Sequence, residues 1–173
     1  MNQVIETMTT RRSVRSYKPD MPDQDVLDEI LKAGTYAPTG MGGQSPIIVA
    51  VTDKETRDKL SRMNASVMGN DADPFYGAPV VLVVLADKNR PTYLYDGSLV
   101  MGNLMNAAHA LGLGSCWIHR AKEEFESEEG KALLKEWGIE GDYEGIGHCI
   151  LGYPEGDLPQ AKPRKENYIY YVK

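Results

Sequence analysis

The chain has 173 residues, a net charge of −6, 25% charged and 42% apolar residues. That balance is ordinary for a globular protein and argues against nucleic acid or an anionic membrane as partner. Two cysteines, Cys116 and Cys149, neither in a CxxC pair, point to neither a disulfide scaffold nor a zinc site.

Val4, Ile5 and Met8 are spaced for one face of a short helix over 1–9. Thr10-Arg11-Arg12-Ser13-Val14-Arg15-Ser16-Tyr17 follows, with three arginines and two serines within six residues. On an extended backbone side chains alternate, so Arg11, Ser13 and Arg15 are expected on one side and Arg12 and Ser16 on the other. Guanidinium forks beside a hydroxyl match a phosphate monoester, and a solvated basic turn is the competing reading. Lys18-Pro19 and Met21-Pro22 then break the chain, and Asp23 is placed to cap a helix with Val26, Leu27, Ile30 and Leu31 as its buried stripe.

That helix is predicted to end near Gly34. The segment 36–46, Tyr-Ala-Pro-Thr-Gly-Met-Gly-Gly-Gln-Ser-Pro, lets backbone approach a ligand closely or simply connects two elements. It is neither GxGxxG nor a P-loop. A buried strand is expected over 47–51, then a helix capped by Asp53 with Leu60 and Met63 inward. The run 78–86 is apolar on both faces, as in a strand covered by helices on both sides. Phe75 and Tyr76 before it read as core. A long helix over 96–111, rich in small and apolar residues, is predicted to be buried all round, with His109 in the core or at an interface. Gly112-Leu113-Gly114 ends it. A short strand over 115–119, one helix over 122–138 and a strand from Gly145 follow. Lys162-Pro163-Arg164-Lys165 is a second basic group. The terminal Tyr168-Ile169-Tyr170-Tyr171-Val172 reads as a strand that covers a neighbour in a dimer. No repeat or linker divides the chain, so one domain over 1–173 and an α+β fold are expected. No secretory leader and no apolar run of spanning length stand out, which points to the cytoplasm.

Three separated stretches, Arg-Arg-Ser-Val-Arg-Ser-Tyr, Ala-Pro-Thr-Gly-Met-Gly-Gly-Gln-Ser-Pro, and Ala-Leu-Gly-Leu-Gly-Ser-Cys-Trp-Ile with Leu-Gly-Tyr-Pro and Lys-Pro-Arg beyond it, resemble the FMN-dependent nitroreductase family in order and spacing. The resemblance covers nearly the whole chain. It implies a mostly antiparallel central sheet flanked by helices, and an intertwined homodimer with both active sites at the subunit interface. It implies bound FMN, with NADH or NADPH as donor. By position, Arg11, Arg12, Ser13 and Arg15 resemble the phosphate and ribityl ligands. Arg164 resembles a basic residue closing on the phosphate, with Lys162 beside it. Pro38, Thr39, Gly40, Met41 and Gln44 resemble the loop laid against the isoalloxazine from the other subunit. Trp117, Ile118 and His119 resemble the segment whose backbone N–H groups reach flavin N5 and O4. Gly42 departs from the family, whose members often carry Asn there; a side-chain amide contact is lost with it.

In such a protein the flavin carries the chemistry. Hydride from NAD(P)H passes through N5 to an electron-poor acceptor, a nitroaromatic or a quinone, by a ping-pong scheme. No side chain is assigned as acid or base, and no metal ligand. A different flavin reaction on the same fold, dehalogenation or dehydrogenation, is the alternative, with residues 64–76 as the one stretch able to cover the site. A flavin-binding module without turnover is the rival of another class.

Overall fold

Seven of the eight residues of the strand Val80–Asp87 are buried, and the rest of the fold is arranged on its two faces. A computed structural model describes all 173 residues, Met1–Lys173. In chain order the elements are α1 (Gln3–Thr10), α2 (Gln24–Thr35), a single 3₁₀ turn (Gly40–Gly42), β1 (Pro46–Val51), α3 (Lys54–Met68), β2 (Val80–Asp87), α4 (Tyr93–Ala110), β3 (Gly114–Ile118), α5 (Ala121–Glu126), α6 (Glu128–Glu136) and β4 (Tyr143–Gly152). The strands form one antiparallel sheet in the order β1-β2-β4-β3. The fold is therefore α+β, with a mostly antiparallel sheet flanked by helices.

Alternation along β2 divides the core in two. Val81, Val83 and Leu85 face a layer that holds Leu60 and Met63 of α3, Phe125 of α5 and Leu133 of α6. Val80, Leu82, Val84 and Ala86 face Leu27 and Ile30 of α2 and Val100, Met101 and Leu104 of α4. A strand apolar on both faces is stable only when both are covered, which is why this run was legible in the sequence. Between Val84 and Leu85 the pairing with β4 slips by one residue. The displaced Ile146 packs where a Cβ on Gly97 of α4 would lie 2.5 Å from its Cγ1.

Several expectations change in the folded chain. β1 is an edge strand and mostly half-buried, because nothing pairs with its outer side. α4 begins three residues before Asp96 and buries one side only; Leu94, Tyr95 and Leu99 are exposed. The helix expected over 122–138 is two. Ser127 adopts an extended conformation, donates to the Glu124 carbonyl (2.6 Å) and accepts from Gly130 N (3.0 Å), so it ends α5 and caps α6. Phe75 is core, whereas Tyr76 is exposed at a positive φ of 52°. The terminal 168–172 segment forms no strand and stays exposed, because no sheet edge in the chain receives it. Asp53 caps α3 through Thr56 N (2.8 Å), whereas Asp23 stands at the start of α2 without a side-chain capping bond.

Candidate functional site

The arginine stretch starts at a helix end and runs onto a sheet edge. Arg11 caps α1, its N–H donating to the Thr7 carbonyl (3.0 Å). Ser13 then bridges Ser115 of β3 in parallel, with Val14 N donating to the Ser115 carbonyl (2.9 Å), and Tyr17 bridges Pro154 beyond β4. Val14 and Tyr17 are the buried anchors, and Val14 fills the space where a Cβ on Gly114 would sit. Tyr17 donates from its hydroxyl to the Val14 carbonyl (2.7 Å), and burial pushes its phenol well above the usual range.

The expected alternation holds for Arg11, Ser13 and Arg15, and Ser16 lies apart from them and donates to Glu155; Arg12 alone departs, because its guanidinium folds back on the Thr9 and Arg11 carbonyls. Arg11, Arg12, Ser13 and Arg15 all line one cavity of about 760 Å³, and the rim of that cavity is completed by Pro159, Lys162 and Arg164 of the tail. Two basic groups some 150 residues apart in sequence thus meet in one place. The lining contains five cations and no carboxylate, and none of the five forms an ion pair. Arg12 is spent on backbone, donating to the Thr9 (2.9 Å) and Arg11 (2.7 Å) carbonyls. Arg11 is not: its Nη1 is buried without a partner. A buried guanidinium nitrogen with nothing to donate to is costly, and an anion in the cavity removes that cost. The donor set therefore fits a phosphate.

His109 of α4 stands behind this cluster. Thr10 uses its hydroxyl hydrogen on the Glu6 carbonyl (2.7 Å), so the 2.8 Å contact between Thr10 Oγ1 and His109 Nε2 requires Nε2 to donate. Burial, then the charges of Arg11 and Arg12, hold the His109 pKa below the usual imidazole value. Neither sequence position nor residue type announced this role.

Beside the basic cavity, and sharing Arg15 with it, lies a second hollow of about 310 Å³ lined by Trp117, Ile118, His119, Arg120 and Tyr76. Ser115 turns its carbonyl to the outer edge of β3, toward Val14. Alternate residues of an antiparallel strand direct their N–H groups to the same side, so Trp117 presents its N–H to that edge as well. The guanidinium of Arg15 lies 6.0 Å from the centroid of the Tyr76 ring, between the two hollows.

Thr39 and Gln44 line a third, more apolar cavity of about 450 Å³ between α2, α4 and β1. It shares no lining residue with the other two, so within one chain the 38–44 loop does not join the arginines. What shapes this loop is Asp96, which the sequence marks only as the expected start of the long helix. It is 3% exposed and accepts from Gly40 N (2.9 Å), Ser45 Oγ (2.7 Å) and Thr92 Oγ1 (3.0 Å). Burial would raise its pKa; the three hydrogen bonds outweigh that and hold it below the usual carboxylate value. Met41, Gly42 and Gln44 all have positive φ, and Met41 is fully exposed. At Gly42 (φ 65°) an added Cβ meets open space, so Gly42 presents only backbone at that point.

The comparisons agree with this geometry. The profile of the Nitroreductase family matches residues 8–153, and the chain belongs to that family. It is 31% identical over 171 residues to a candidate NADH dehydrogenase/NAD(P)H nitroreductase of Archaeoglobus fulgidus, covering 95% of this chain and 94% of that protein. It is also 31% identical to an FMN reductase [NAD(P)H] of Bacillus subtilis, over 66% of this chain and only 53% of the longer relative. Among solved structures, a nitroreductase with bound FMN from Bacteroides fragilis superposes with a TM-score of 0.91 at 29% identity, over 100% of both chains. No helix is long and apolar enough to cross a membrane.

Proposed function

We propose that this chain is a single FMN-binding domain and an oxidoreductase that takes electrons from NADH or NADPH and passes them to an electron-poor acceptor, a nitroaromatic or a quinone. The observation that carries the proposal is the cavity of five cations without a carboxylate, with the buried, unpartnered Nη1 of Arg11 in its wall. Arg11, Arg15 and Arg164 hold the phosphate and Ser13 the ribityl chain, while Arg12 braces the helix end from which Arg11 projects. Along the outer edge of β3 Trp117 and His119 offer backbone N–H groups to the ring, while Ile118, paired with His148 of β4, directs its N–H into the sheet. FMN, when bound, supplies reversible two-electron chemistry at N5. The protein binds it, orients it and lets donor and acceptor use one face in turn. The curated names of the relatives support the nicotinamide donor.

A second copy of the chain completes this site. Val4, Ile5 and Met8 on α1, Leu94, Tyr95 and Leu99 on α4, and the tail 168–172 are all exposed and apolar, more than a lone chain leaves uncovered without a use. Pro38, Thr39, Gly40, Met41 and Gln44 of the second copy then close over the ring that Trp117–His119 support.

Purified protein is expected to be yellow and to release FMN, and not FAD, on heating. It should oxidise NADH or NADPH in the presence of a quinone. A colourless protein that also fails to take up added FMN overturns the proposal.

A further inference from the structure

Behind the Trp117–His119 segment lies a buried polar cluster that cofactor binding does not explain. Asn64 of α3, Glu124 of α5 and His148 of β4 are each at most 1% exposed. The rings of Phe75 and Phe125 wall His148, at centroid distances of 5.2 and 6.3 Å. In sequence Asn64 falls within the polar residues of a surface helix, so nothing marks it. In the fold its amide is fully engaged. Nδ2 donates to the His119 carbonyl and to Glu124 Oε2, both at 2.8 Å, and Oδ1 accepts from Arg120 Nε at 2.9 Å. Glu124 Oε2 also meets His148 Nε2, and His148 pairs across the sheet with Ile118.

The two residues that Asn64 grips, His119 and Arg120, form a left-handed turn. Arg120 has φ 77° and ψ 7°, a conformation that non-glycine side chains adopt only when their surroundings impose it. Glu124 Oε1 and His148 Nδ1 are buried with no partner at all. A cluster kept for stability alone does better with those atoms satisfied or with apolar residues in their place. The arrangement is understandable if what it secures is the path of the backbone in front of it.

We propose that Asn64, backed by Glu124 and His148, is a positioning residue that holds the 119–120 turn left-handed, so that the backbone of Trp117–His119 faces the hollow shared with Arg15. This rests on the FMN reading above for its functional consequence, though not for its structural one. Asn64 reaches no part of that hollow itself and acts through the His119 carbonyl and the Arg120 side chain.

The test is a rescue. Asn64→Ala should weaken FMN binding about tenfold, read by flavin fluorescence titration, since a lost turn of this kind is worth about one decade. In the flavin-free protein the same change should speed amide hydrogen exchange across residues 118–121. Adding Arg120→Gly supplies a residue that takes φ near +77° without strain. The double variant should therefore recover most of the lost FMN affinity, although it has two changes. Asn64→Ser serves where the alanine variant does not fold. If exchange over 118–121 is unaltered in the folded variant, or if Arg120→Gly restores no FMN binding, the positioning role is overturned. A parent protein that binds no FMN overturns the cofactor proposal instead, and the exchange measurement on flavin-free protein still decides whether Asn64 holds the turn.

Discussion

Replacing Arg11 with alanine has two expected consequences of opposite sign. If Arg11 contacts the FMN phosphate, it contributes a charge-assisted hydrogen bond of about 1.5–3 kcal/mol. Each ~1.4 kcal/mol is tenfold in affinity, so Arg11→Ala should weaken FMN by about ten- to a hundredfold. Riboflavin, which lacks the phosphate, should bind poorly to the parent and lose little in the variant. Without flavin the sign reverses. Arg11 sits among four other cations with no carboxylate, and its Nη1 is buried without a partner. Relief of about 1 kcal/mol raises the Tm of a chain this long by about 2–4 °C. His109, whose pKa Arg11 depresses, should at the same time titrate at higher pH. The assays are titrations of both flavins against both proteins, thermal melts of the flavin-free forms, and NMR titration of the His109 ring. The ratio of the FMN effect to the riboflavin effect cancels general destabilisation. A ratio near one, or a flavin-free variant that melts lower than the parent, would refute the reasoning and take the phosphate roles of Arg15 and Arg164 with it.

Light scattering should find a dimer at micromolar concentration, with an interface above ~2,000 Å², and deletion of residues 167–173 should weaken it; a monomer contradicts the two-copy site. Asp96→Asn should cost about 2 kcal/mol at pH 7, through the hydrogen bonds from Gly40, Ser45 and Thr92. Because the folded-state pKa of Asp96 is depressed, its contribution is complete above the ordinary aspartate value of about 4 and fades as pH falls through the lower folded value. Urea melts of parent and variant should therefore converge below that value, and a gap that stays constant with pH speaks against a charged, hydrogen-bonded Asp96.

Local pattern alone determined several things about this protein. The apolar run at Val80–Ala86 could only be a strand covered on both faces, and β2 is one. Two basic groups and a glycine-rich loop carried the family resemblance, because phosphate chemistry needs particular side chains and those are written in the chain. Their meeting was not legible. Arg11–Arg15 and Lys162–Arg164 share a cavity because the first docks on the edge of β3 and the second folds back over it, and sequence separation says nothing about either path. The break at Ser127 was hidden because its flanks both read as helix; a hydroxyl bonded to the Glu124 carbonyl and to Gly130 N decides it. Asp96 read only as the first residue of a helix and proved to be the anchor of the 39–45 loop, since its partners Gly40 and Ser45 lie over 50 residues away. Asn64, Glu124 and His148 were invisible for the same reason. A polar residue on a helix reads as solvent-facing until the sheet and its neighbours close around it, and only then does burial make each of its hydrogen bonds matter.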